Sequence, residues 1–206
     1  MSDTAKESAQ RGPGRPPTGA PERILAAAYE VLKRDGYAGM TTAKVAAASG
    51  QNKALIPYYF GSKQGLVAAV ARLVSETLTD EVLGQVGDPG SARELVEAIV
   101  EGLWRAMDRD AGLQRVYFDL SSQAVVEPEV GGIMIEMKQG HRAIVRELLR
   151  GLGLGLRPAE LDGIAIFIIA GLEGLSLERL EHGDSRALKR ASQIFIDSAV
   201  AAIERA

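Results

Sequence analysis

The chain of 206 residues contains no cysteine, which excludes disulfides, thiolate metal sites and cysteine nucleophiles, and allows a reducing compartment. Histidine is almost as scarce. His141 and His182 stand 41 positions apart with no His-Glu-x-x-His pattern, so neither a metal site nor a cofactor is expected. No long apolar run is present: the longest, Ile164 to Leu172, falls far short of the roughly 18–20 residues that a membrane span needs. The first residues carry Asp3, Lys6, Glu7 and Arg11 without an apolar stretch, unlike a secretory signal. Gly151, Gly153 and Gly155 follow no strand and precede no Lys-Ser/Thr pair, so both common phosphate loops fail. No nucleophile–base pattern is found, and Glu127 and Glu129 flank Pro128 where they suit a helix start better than acid–base work. These absences lead to the expectation of a soluble cytoplasmic protein that is not an enzyme and has no membrane partner.

A hydrophobic content of 46% and a charged content of 25% are ordinary for a globular chain. Apolar residues recur at helical spacing and nowhere alternate with period two, which predicts an all-α fold of about nine helices. Residues 1–19 hold Gly12, Pro13, Gly14, Pro16, Pro17 and Gly19 among polar residues, and are expected to form a flexible basic tail. Pro21 then suits the first turn of a helix with its stripe at Ile24, Leu25, Ala28, Val31 and Leu32, ended by Asp35-Gly36. Further helices are expected over Leu113 to Val126, Ile133 to Leu149, Ala159 to Leu180 and Ser185 to Ala206. Charge divides unevenly, with nine Lys+Arg against five Asp+Glu in residues 1–63 and fifteen against twenty-two thereafter. A basic front on an acidic body suits contact with phosphate at one end.

Residues 41–63 carry the sharpest signal. Thr41 or Thr42 caps a short helix through Val45 that stops at Ser49-Gly50; Asn52 is placed to cap a second, closed by Gly61-Ser62. Two helices joined by so short a turn are a helix-turn-helix, whose second helix reads the major groove. With the preceding helix they form a unit of about 45 residues, too small to hold a core of its own. Gly36-Tyr37, Thr41-Thr42, Ser49-Gly50, Tyr58-Tyr59-Phe60 and Ser62-Lys63 together resemble the DNA-binding domain of the TetR family of transcriptional regulators over residues 20–70. The departure lies at Ala54-Leu55-Ile56-Pro57, where the family often has Gly-Thr-Leu-Tyr; Pro57 requires the recognition helix to start late or to distort near Lys53.

The resemblance implies a DNA-binding unit at 20–66 and a helical effector-binding and dimerisation domain at 67–206. Base reading is expected from Asn52, Lys53, Ala54, Leu55 and Tyr58, with Leu55 suited to a thymine methyl. Thr42, Tyr59 and Lys63 are the expected phosphate anchors, while Ile56 and Phe60 point inward. Gly14-Arg15-Pro16 resembles an AT-hook core, so Arg15 is a candidate for the minor groove. Trp104, Met107, Tyr117, Phe118, Met134, Met137, His141 and Phe167 are candidates for a ligand pocket or for plain packing. Leu188, Ala191, Phe195, Ser198 and Ala202 form a seam, and Phe167 and Gly171 join them as the expected dimer interface. The implied function is that of a homodimeric regulator, most simply a repressor, which binds a palindromic double-stranded operator and answers to an unknown small-molecule effector. Two alternatives stay open: a helical small-molecule-binding or interaction protein that does not read DNA, and a constitutive DNA binder without an effector.

Overall fold

A computed structural model of the chain describes residues 19–206. Apart from Gly19, the expected tail, with Arg15 in it, lies outside the described residues. Nine helices and no strand are found among the described residues: α1 (Ala20–Gly39), α2 (Thr42–Ser49), α3 (Leu55–Phe60), α4 (Lys63–Val86), α5 (Ala92–Arg109), α6 (Gly112–Gln123), α7 (Pro128–Gly151), α8 (Pro158–His182) and α9 (Arg186–Glu204).

Local sequence explains where these helices begin and end. Pro21 sits in the first turn of α1, and Ile24, Ala28 and Val31 are wholly buried along its inner face. Gly36 takes φ 69° and ψ 175°, which interrupts the helical ladder and sets Tyr37–Gly39 as a separate turn, as the Asp35-Gly36 signal predicts. Thr41 caps α2 by accepting from the Lys44 amide at 3.2 Å, and Gly50 ends it at φ 65°. Ser62 caps α4 by accepting from the Gly65 amide at 2.9 Å. The 24 residues of α4 then span about 36 Å, from the helix-turn-helix to the far side of the body.

The interior forms two apolar clusters. In the first, Ile24, Val31, Val45, Ile56 and Leu66 of the front helices pack with Leu113, Val116, Leu120 and Met134 of α6 and α7. The front unit thus borrows its core from the body, and α4 runs without a break across the boundary expected at 66/67. The second cluster joins α5, α7, α8 and α9 through Leu95, Ile99, Leu149, Leu161, Ile168 and Ile203.

Glu127 stands at the start of α7 as expected, in the N-cap position, and its carboxylate also accepts a hydrogen bond from the Tyr37 hydroxyl at 2.5 Å. On α8, Gly171 permits a close approach beneath the Phe195 ring, while Gly163 and Gly174 face open space. A backbone-to-backbone crossing falls at Gly102, where α5 meets α4 and an added Cβ would lie 2.7 Å from the Val82 Cα. Backbone cannot yield as a side chain can, so Gly102→Ala is expected to destabilise the fold by about 1–3 kcal/mol. Urea unfolding checks this; an unchanged midpoint would show that the two helices separate freely.

Candidate DNA-reading face and ligand cavity

The recognition element starts late, at Leu55. Asn52 does not cap it as expected: its side-chain oxygen accepts from the Ala54 amide at 2.9 Å, closing a tight turn before the helix. This register places Pro57 third in α3, within the first turn, where a missing amide hydrogen breaks no helical bond. Asn52, Lys53, Ala54 and Tyr58 are exposed, Tyr58 at 69%. Leu55 and Tyr59 are half-buried against the core, so the apolar contact expected of Leu55 is limited to its outer edge. Ile56 is buried and Phe60 packs inward.

Thr42, Lys53, Ala54, Pro57, Ser62 and Lys63 line one groove at the starts of α2 and α4. Helix N-termini carry partial positive charge and free amides, and two lysines add to it, so the groove suits a phosphate. Lys63 meanwhile rests with its ammonium 4.6 Å from the centre of the Tyr37 ring. Gly65 keeps α3 against α4, since a Cβ there would collide with the Phe60 carbonyl.

A cavity of about 120 Å³ opens inside the body between α4, α5, α6, α7 and α8. Leu78, Val82, Ile99, Leu103, Ile144 and Leu172 give it aliphatic walls, and Gln114, Tyr117, His141, Glu173 and Ser176 give it polar groups. Of the eight residues put forward from sequence, only Tyr117 and His141 line it. Trp104 packs against the second cluster beneath the Arg179 guanidinium, 5.1 Å from its ring centre. Met107 is buried in α5, Met134 belongs to the first cluster, Met137 and Phe118 pack on that cluster, and Phe167 faces outward at 42% exposure. Aromatic and thioether side chains serve cores as readily as pockets, which is why type alone did not separate these six from the two that line the cavity. Glu173 and Gln114 escaped the sequence reading, although an acid just after the apolar run ending at Leu172 was a legible signal.

Tyr117 donates its hydroxyl to Glu173, and burial together with that bond pushes its pKa well above the usual phenol range. His141 and Ser75 Oγ share a hydrogen bond of 2.8 Å, and burial lowers the pKa of the imidazole, outweighing the attraction of Glu173 and aided by repulsion from Lys138.

Helix α6 touches both regions. Gln114 and Tyr117 face the cavity, while the Asp119 carboxylate accepts the Tyr37 amide of the front unit at 2.5 Å. Burial and the bond to Glu127 push the Tyr37 hydroxyl up to about 12. Nearby, Asp110 accepts from Tyr29 at 2.7 Å and pairs with Lys33 at 2.9 Å, tying α1 to the α5–α6 corner. None of these three acids was singled out for this role from sequence.

The expected seam of α9 divides. Leu188 and Phe195 are buried within the chain, so they are not free for a partner; Ala191 and Ser198 are exposed and Ala202 is half-covered. Spacing of three and four marks a buried stripe without saying what buries it. The outward apolar groups are Ile166, Phe167 and Leu177 on α8 and Ile194 on α9, at 45%, 42%, 41% and 59% exposure. Gly171 is covered by the Phe195 ring.

A helix-turn-helix with an exposed reading edge, mounted on a helical body that encloses a cavity, defines a DNA-binding regulator. Residues 24–70 match the model for bacterial regulatory proteins of the tetR family, and residues 92–203 match that for the C-terminal part of BetI-type transcriptional repressors. The chain belongs to the TetR family, with a BetI-type C-terminal region. It is a DNA-binding transcriptional regulator, and the family is not one of enzymes. Among relatives, the HTH-type transcriptional regulator BetI of Rhizobium meliloti is 26% identical over 185 residues, covering 88% of this chain and 84% of that one. BetI of Escherichia coli is 24% identical over 176 residues, 80% of this chain and 89% of that protein. BetI of Stenotrophomonas maltophilia is 26% identical over 110 residues, a match spanning 53% of this chain and 56% of that relative. Among solved structures, a TetR-family regulator from Rhodococcus sp. aligns with a TM-score of 0.76 at 19% identity, covering 91% of this chain and 100% of that one. A transcriptional regulator from Saccharomonospora viridis in complex with choline aligns at 0.65 and 20% identity, covering 88% and 95%. Among the described residues, no helix is long and apolar enough to cross a membrane.

His141 gives a pH test of the cavity wall. Its folded pKa lies below the ordinary imidazole value of 6.5, so its contribution to stability is complete above that pH and is lost as pH falls from there toward the folded value. Melting temperature is expected to fall as pH is lowered from about 7.5 to 5.5, and to fall less in His141→Gln. Equal slopes in both proteins would remove His141 as the cause.

Proposed function

We propose that the chain acts as a homodimer on a palindromic operator in the cytoplasm, and that a small molecule in the cavity weakens its hold on DNA. Residues 20–66 serve as the reading unit, and residues 67–206 as the effector-binding and dimerisation domain. Asn52, Lys53, Ala54 and Tyr58 supply base contacts from the exposed edge, joined by the outer edge of Leu55. Thr42, Lys63 and Tyr59 anchor phosphate, and Arg15 of the tail adds a minor-groove contact. The observation that carries this reading is the groove where Thr42, Lys53, Ser62 and Lys63 meet two helix N-termini beside an exposed Tyr58.

The outward face of α8 and α9 supports two-fold symmetry in this reading. Ile166, Phe167, Leu177 and Ile194 gain about 1.5–3 kcal/mol each when fully covered, and Ala191 and Ser198 between them permit close approach. A second copy has the same face, and a pair of recognition elements about 34–36 Å apart meets successive major grooves. The BetI relatives and the choline-bound neighbour support a repressor that senses a small organic molecule.

The switch works through α6 in this reading. A ligand pressing on Gln114 and Tyr117 shifts α6, and Asp119 carries the shift to the Tyr37 amide and thus to α1. Ligand and DNA then favour different positions of the front unit, and each weakens the other by the same factor.

Selection from a random DNA pool is expected to enrich a palindrome. On that site Lys53→Ala with Tyr58→Ala should cost about 2–4 kcal/mol by fluorescence anisotropy without changing the melting temperature. Recovery of an unsymmetrical site, or full affinity in the double variant, would reject the assignment. In sedimentation, Phe167→Glu with Ile194→Glu is expected to yield monomers at micromolar concentration; a dimer that persists would place the interface elsewhere.

A further inference from the structure

Bases in the major groove are told apart by the groups on their edges: guanine shows two acceptors, thymine an acceptor and a methyl group, whereas adenine and cytosine each show an amino donor. Reading an amino donor takes an acceptor, which Asp, Glu, Asn and Gln side chains supply. Between Asp35 and Glu76 the chain has no carboxylate. Residues 51–60 hold two side-chain amides, Gln51 and Asn52, and both are turned back on the backbone. Gln51 donates its amide nitrogen to the Ser49 carbonyl at 3.4 Å. Asn52 meets the Ala54 amide at 2.9 Å, and because that N–H can only donate, the atom facing it is the side-chain oxygen. An Asn that reads adenine points both of its amide atoms outward, and Asn52 has only its NH2 group left for that.

What the edge still presents is donors and apolar surface. Lys53 carries an exposed ammonium with three donors and no acceptor, and Ala54 an exposed methyl group. The Tyr58 ring packs edge-on against Tyr59, 4.9 Å between centres, and its hydroxyl is the one exposed group here that can accept as well as donate. Lys53 and Ala54 stand immediately ahead of α3, at the end by which a recognition helix approaches base edges. Resting on the DNA-reading assignment above, we propose that each half-site presents guanine and thymine to this edge, and that no adenine or cytosine amino group is read. Lys53 donates to the O6 and N7 acceptors of a guanine, and Ala54 with the Tyr58 ring covers a thymine methyl group. Lys53 also lines the groove suited to phosphate, so its long side chain has two destinations. They are separable, because a phosphate contact is indifferent to sequence and a base contact is not.

Base analogues placed singly in the selected operator, with the affinity of the full chain followed by fluorescence anisotropy, test this. 7-Deazaguanine, which lacks the N7 acceptor, is expected to weaken binding several-fold, roughly 3–10, at one guanine of each half-site, and to have no further effect in Lys53→Ala. Uracil in place of thymine, which removes only the methyl group, is expected to weaken binding about threefold at one position or more. That loss should vanish in the double variant Ala54→Gly with Tyr58→Ala. 2-Aminopurine pairs with thymine but lacks the major-groove amino group of adenine, and is expected to leave affinity within about twofold at every position. Sensitivity to 2-aminopurine, indifference to 7-deazaguanine, or a Lys53→Ala variant that weakens all duplexes equally and lowers the salt slope by about one would overturn the guanine and thymine assignment, with operator binding left intact. A random pool that enriches no sequence would overturn this assignment together with the reading beneath it.

Discussion

Three short helices at the front of this chain cannot bury enough apolar surface to stand alone, and that shortage shapes the molecule. Ile24, Val31, Val45 and Ile56 complete their burial against Leu113, Val116, Leu120 and Met134 of the body. Because close-packed interiors transmit displacement rather than absorb it, the reading edge cannot ignore what happens around α6 and α7. A regulator needs such communication, and here it follows from the size of the unit.

Directional bonds refine what packing begins. Asp119 and Glu127 grip the turn after Gly36, and Asp110 grips the inner face of α1 through Tyr29 and Lys33. These acids fix the angle of the front unit on the body, whereas apolar contact alone would tolerate some slip. Helix α6 is the shared part, with cavity groups and Asp119 on the same twelve residues. Helix α4 runs beside it, from the groove at Lys63 to the cavity wall at Leu78 and Val82.

The front of the fold was legible because its signals are local. Thr41, Gly50 and Ser62 cap or stop helices by bonds to residues within a few positions, and Pro57 constrains its helix by covalent geometry. Asn52 shows the limit, since the same side chain can cap a helix or close a turn, and Pro57 tipped it to the turn. The cavity was hardly legible. Whether a Met or Phe lines a void depends on helices remote in sequence, and the groups that mattered, Glu173 and Gln114, gave no periodic signal. The α9 seam failed differently: its spacing was right, but Leu188 and Phe195 had already found cover inside the chain. Exposure, which selects Ile194 and Leu177 instead, belongs to the tertiary structure.

Whether the front unit and the body share one cooperative core is tested most directly by native-state hydrogen exchange on the full chain carrying Val116→Ala, a change in α6 at a residue 2% exposed. A shared core requires the amides of α1 and of the first half of α4 to lose the same free energy of protection as those of α6. If α6 alone lost protection while α1 kept its own, the front unit would be folding by itself and the proposed route from cavity to DNA would have no physical carrier.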